Sequence, residues 1–118
     1  MKHEMKFNKE SFEEVKNGNK KIEIRLFDKK RQKVNIGDTI EFSKLPKLNE
    51  KLIVEVKGIK RYPAYKILVA NTPLTNFGNK WKSKEQILEK GCTIYSKEEQ
   101  NKYGFVVFEI KLLDKQTF

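Results

Sequence analysis

A chain of 118 residues has room for one domain with a single modest core and no second catalytic lobe. Its 26 Lys and Arg against 16 Asp and Glu leave a net charge of +10, shared as +4 up to Leu45 and +6 beyond it, so the domain itself, with no basic tail, points to polyanionic partners. One Cys (Cys92) and one His (His3) exclude an internal disulfide and the usual four-ligand zinc site, and the absence of an apolar run of about 20 residues or of a leader predicts a soluble, cytoplasmic protein without membrane contact.

Met5 and Phe7 alternate with polar residues and predict a short first strand. Asn8 then caps a helix to about Asn17, with Phe12 and Val15 inward and Gly18 as its left-handed stop. Ile22, Ile24 and Leu26 alternate with Glu23, Arg25 and Phe27, the period of a strand with one face on a core. Taken alone, Glu23 and Arg25 on the other face read as a solvated ion pair contributing about 0.2–1 kcal/mol. Residues 28–33 read as an exposed basic loop. Gly37-Asp38 turns the chain into a strand carrying Ile40 and Phe42.

Leu52, Val54 and Val56 mark a long strand, and Gly58 within it predicts a bulge. Pro63 ends that strand and opens a short helix to about Ala70, followed by an irregular loop over residues 71–82. Ser83-Lys84-Glu85-Gln86 and Ser96-Lys97-Glu98-Glu99 have capping-box spacing, so two short helices follow, closed by Gly91 and Gly104. Residues 105–113 form a last strand with Val106, Phe108, Ile110 and Leu112 on one face. The sum is an α+β domain, a small mixed β-barrel of five to six strands with short helices at the connections.

The order Gly18-x-Lys20-x-x-Glu23-x-Arg25, a basic loop, then Gly37-Asp38 resembles the ASCH domain family of the PUA-like superfamily. The opening His3-Glu4-Met5-Lys6, the stretches 25–32 and 37–42, and the closing run from Tyr95 to Gly104 look like small stand-alone prokaryotic members, so the resemblance spans nearly the whole chain and is weakest over residues 62–82. It implies a PUA-like barrel and a cationic cleft for RNA or a nucleotide-like ligand, lined by Lys20, Glu23 and Arg25. Two cations can hold a phosphate while the carboxylate meets a base edge or orients a water. Regular pleating would put Lys21 beside Glu23, whereas the family motif favours Lys20.

Some relatives are amidohydrolases that deacetylate a modified cytidine with a Lys, a Thr nucleophile and a Glu. Here Glu23 stands at the Thr position, and no Asp or Glu lies between Lys57 and Lys84 to serve as the distant carboxylate. Other members are reported as nucleases, and Lys20 and Glu23 are the catalytic candidates for a metal-free hydrolysis of that kind. A protein-interaction module within an RNA-related complex is a third alternative. Among further nucleic-acid contacts, Arg31 is a phosphate candidate. Trp81, between Lys80 and Lys82, suits base stacking or an apolar lid over the barrel's end. Tyr95 and Tyr103 flank the last helix, which in this family closes over the cleft. Tyr65 reads as a residue packed on the barrel, and Cys92 as a half-buried thiol without an activating base.

Overall fold

In the computed structural model, which describes all 118 residues, Asn8 sets the first boundary: its side chain accepts the Ser11 N–H at 2.8 Å, so β1 (Lys2–Phe7) gives way to α1 (Lys9–Lys16). The helix buries Phe12 and Val15, as its spacing predicts, and Gly18 adopts a φ of 78° just beyond it. β2 (Ile22–Leu26) follows, then α2 (Lys29–Gln32), β3 (Thr39–Lys44) and the long β4 (Glu50–Tyr62). Helices α3 (Tyr65–Ala70), α4 (Lys84–Lys90) and α5 (Lys97–Tyr103) lead to β5 (Phe105–Thr117). A single 3-10 turn, Leu74–Asn76, interrupts the connection after α3.

Residues 28–32 are more ordered than a loop. Asp28 caps α2 by accepting the Arg31 N–H at 3.2 Å and holds the Arg31 guanidinium at 2.8 Å, so one carboxylate organises both the turn and its cation. Of the two expected capping boxes, the one at Ser96 is complete. Ser83 accepts from Gln86, whose own side chain accepts from Lys82 instead of returning to the cap.

The five strands form one mixed sheet in the order β1-β3-β4-β5-β2, with β1 and β3 parallel and the other pairs antiparallel. The β4–β5 ladder shifts register between Val56 and Gly58, at the expected bulge, and again between Ile53 and Val54. The two edges, β1 and β2, share no ladder. A side chain spans that seam, because Arg25 donates to the Lys6 carbonyl at 2.7 Å.

Two apolar clusters fill the faces. One holds Phe7, Phe12, Phe42, Val54, Val106 and Phe108, with the rings of Phe7 and Phe42 stacked at 3.8 Å. The other holds Ile22, Leu26, Leu68, Ile87, Phe105 and Val107 beneath α3 and α4. Residues 105–108 are therefore buried on both faces, which explains their unbroken apolar run.

β2 inverts the expectation set by its alternation. Ile22 and Leu26 do face a core, the one under the helices. Glu23 and Arg25 face the other cluster: the guanidinium lies 5.8 Å from the Phe7 ring and 5.9 Å from the Phe42 ring, and Glu23 is only 4% exposed. The pair is enclosed, not solvated. No helix is long and apolar enough to cross a membrane.

Candidate functional site

Glu23 organises a cleft of about 540 Å³ that opens beside the seam between β1 and β2. Its Oε2 accepts from Arg25 Nε at 3.1 Å and Nη2 at 2.9 Å, and its Oε1 accepts the Ile24 N–H at 3.0 Å. Lys20 Nζ stands 3.6 Å from Oε1, with its side chain 16% exposed. A carboxylate removed from water in this way requires such partners, since an unpaired buried charge is costly. Two cations around one carboxylate leave the trio with net positive charge.

Lys20 reaches Glu23 because it precedes the strand. It makes only an isolated bridge to Phe77, and regular pleating begins at Ile22. Lys21 is exposed, outside the cleft, its carbonyl accepting the Ile110 N–H at 3.0 Å. The parity that favoured Lys21 does not hold, since Lys20 and Lys21 precede the regular ladder of β2.

Around the trio, α1 supplies Glu10 and Glu14, β1 supplies Lys6, the loop after α3 supplies Lys80 and Trp81, and the strap 91–95 between α4 and α5 supplies Cys92 and Tyr95. Lys80 pairs with Glu10, whose carboxyl is held below its ordinary value chiefly by that ion pair. Burial raises the Tyr95 hydroxyl above its ordinary range, opposed by the charges of Arg25 and Arg31. Burial likewise raises Tyr65, whose ring packs 5.6 Å from Phe105 while the residue also lines the cleft. No three His, Cys, Asp or Glu side chains converge to hold a metal ion.

Of the residues singled out in the sequence as candidates for the site, Lys20, Glu23, Arg25, Trp81 and Tyr95 converge on this cleft. Trp81 packs on the second apolar cluster with Lys80 and Lys90 ammonium groups 4.7 and 5.5 Å from its ring, so that ring is a wall capped by cations. Arg31 is held at Asp28 just outside, its Nε buried without a hydrogen-bond partner. Tyr103 packs on the second cluster beneath Lys102, away from the cleft. Sequence reasoning gave no site role to Lys6, Glu10, Glu14 and Lys90, named Lys80 only as a neighbour of Trp81, and read Tyr65 as packing alone. Lysines are too frequent for any one to stand out, and the Tyr65 signal was legible only as helix packing.

The ASCH domain family model matches residues 5–114. Among solved structures, the chain is similar to the crystal structure of hypothetical protein PH0355, with 37% identity, a TM-score of 0.82, and coverage of 96% of this chain and 100% of that one. It is also similar to protein PF0455 from Pyrococcus furiosus, solved by solution NMR, with 35% identity, a TM-score of 0.73, and coverage of 97% and 99%. Among curated proteins none matches. With its enclosed Lys20–Glu23–Arg25 group set in a five-stranded sheet of PUA-like form, the chain belongs to the ASCH domain family.

Proposed function

We propose that the protein binds RNA by taking one nucleotide unit into the cleft. Lys20 and Arg25 draw the phosphate, Glu23 holds those cations in place, and Tyr95 lends a ring and a hydroxyl beside them. The observation that carries this reading is the saturation of Glu23. Oε2 already accepts twice from Arg25, and Oε1 accepts from Ile24 and faces Lys20, so at most one lone pair is left for a ligand or a water. Such a carboxylate serves better as a fixed counter-charge than as a general base. The surplus of cations in the cleft and the +10 charge of the chain favour an anionic occupant. Membership of the ASCH family, for which RNA association is the general proposal, points the same way.

Titration with ribonucleoside monophosphates at low salt tests the reading. Binding that weakens at least tenfold in Lys20→Ala, with the fold intact, supports it. Absence of binding to wild type removes it.

A hydrolytic step is the second reading, favoured by one observation: Lys20 Nζ has no acceptor nearer than 3.6 Å and is free to serve a reacting phosphate. Turnover of RNA abolished by Glu23→Gln would support that step, and unchanged turnover would remove Glu23 from it.

A further inference from the structure

Beyond the cleft, one end of the sheet gathers cations that no acidic partner occupies. Phe27 is the hub of this end. Its N–H donates to the Gly104 carbonyl at 3.0 Å, its carbonyl accepts from Gln32 of α2 at 3.0 Å, and the Arg61 guanidinium stacks 3.9 Å above its ring. Leu26 and Tyr62 pair with Phe105 from opposite sides, so the ends of β2 and β4 and the start of β5 lie in one row. Lys102, at the end of α5, sits 5.1 Å over the Tyr103 ring beside the same row.

The charges on this face are one-sided. Residues 28–33 carry four cations against Asp28, which Arg31 neutralises. Lys29, Lys30, Lys33, Arg61 and Lys102 are exposed and lie in no ion pair. On α5, Glu99 is engaged in the Ser96 cap, and the exposed Glu98, one turn before Lys102 on the same face, is the one carboxylate there set against these five cations. Exposed lysines interleaved with rings that already carry cations suit a phosphate backbone, which needs charge from Lys and Arg and no base-specific pocket.

Arg31 joins this face to the cleft. It is the third residue of α2, its guanidinium is held by Asp28 at the cap, its buried Nε has no partner in the protein, and its charge acts on the Tyr95 hydroxyl together with that of Arg25. We infer that the face formed by α2, Arg61 and Lys102 is a second RNA-contacting surface, along which the phosphate backbone of a single strand runs as it leaves the cleft past Arg31. This extends the proposed cleft reading and depends on it. A mononucleotide should use the cleft alone, and a longer strand both surfaces.

The test compares two probes, uridine monophosphate and a labelled oligouridine of about twelve nucleotides, within the length range of single-strand sites. The variant is Lys29→Ala/Lys30→Ala/Lys33→Ala, which removes exposed charge while keeping good helix formers in α2. The inference expects the mononucleotide affinity to stay unchanged. The oligonucleotide affinity should fall about tenfold or more, and its salt slope should shrink by about 0.7 for each phosphate that the variant no longer neutralises.

An unchanged oligonucleotide affinity and slope in the variant overturn the inference and leave the cleft reading standing. Equal loss for both probes overturns it as well, because the face would then act only through the cleft. Wild type that binds neither probe removes the cleft reading and this inference together. Binding to anionic lipid vesicles with no preference for the oligonucleotide also overturns it.

Discussion

Arg25 donates from Nη2 to the carbonyl of Lys6 at 2.7 Å, joining two edge strands that share no backbone ladder. The same nitrogen donates to Glu23 at 2.9 Å. One guanidinium thus bridges the seam of the sheet and fixes the carboxylate of the cleft, which couples the stability of the sheet to the shape of the site. Arg suits this position because its planar fork offers several donors at fixed angles, which a Lys ammonium does not.

That coupling is measurable. Arg25→Lys should lower stability by about 1.5–3 kcal/mol in urea unfolding, the range for a hydrogen bond to a charged group. Glu23→Gln should cost a comparable amount. The double variant should cost less than the two summed, with a coupling energy of about 0.5–3 kcal/mol. Strict additivity would mean that the two side chains do not act as a unit.

Gly104 carries a second structural demand. Its φ of 67° and ψ of −168° belong to a region essentially restricted to glycine, and a Cβ there would meet the Tyr62 carbonyl oxygen at 3.1 Å. Gly104→Ala should therefore destabilise by about 1–3 kcal/mol, read as a lower unfolding midpoint at an unchanged m-value. An unchanged midpoint would show that the end of α5 is not held as described.

Acid sensitivity should centre on Asp38. Hydrogen bonds from His3, from the Asn35 N–H and from the N-terminal ammonium hold its carboxyl well below the usual range. A depressed folded-state value contributes stability that is present above the unfolded value of about 3.9 and lost as pH falls below it. Glu50, lowered by Lys44 and Lys16, acts in the same direction. Wild type should lose stability below about pH 4, and Asp38→Asn should flatten that limb. An identical acid limb in the variant would remove Asp38 as its source.

At the alkaline end the sign reverses. Tyr65 and Tyr95 are raised by burial, and Lys44 is raised by Glu13 and then Glu50. Groups raised in the folded state contribute stability that is complete below their unfolded values and lost as pH rises, here beginning at about pH 10. Absorbance titration should show Tyr65 and Tyr95 ionising above the ordinary tyrosine range. Tyr95→Phe should remove one of those late steps, and the absence of any late step in wild type would contradict the enclosed placement of both rings.

The sheet was largely legible because its strands keep period two, from Ile40 and Phe42 to Leu52, Val54 and Val56, and because Asn8, Ser96 and Gly104 mark helix ends by local chemistry. The orientation of β2 was not. Alternation fixes which residues share a face, but not which face the helices will cover, and here α3 and α4 cover the isoleucine side while the charges turn inward. The short α2 escaped notice because four polar residues carry no apolar period, although Asp28 supplied its cap. Glu23 was legible through its alternation with the isoleucines, and Lys20 only through the family motif, since regular pleating pointed to Lys21. Lys6, Lys80 and Lys90 reach the cleft only through tertiary placement, from a strand, a loop and a helix end that no local pattern links.

A nucleotide held in the cleft around Glu23 would be detected most directly by titrating isotopically labelled protein with ribonucleoside monophosphates at low salt and following the amide chemical shifts. Saturable shifts centred on Lys20, Glu23, Arg25 and Tyr95, and lost in Lys20→Ala, are the predicted result. Shifts that are absent, or that fall elsewhere on the surface and persist in that variant, would contradict it.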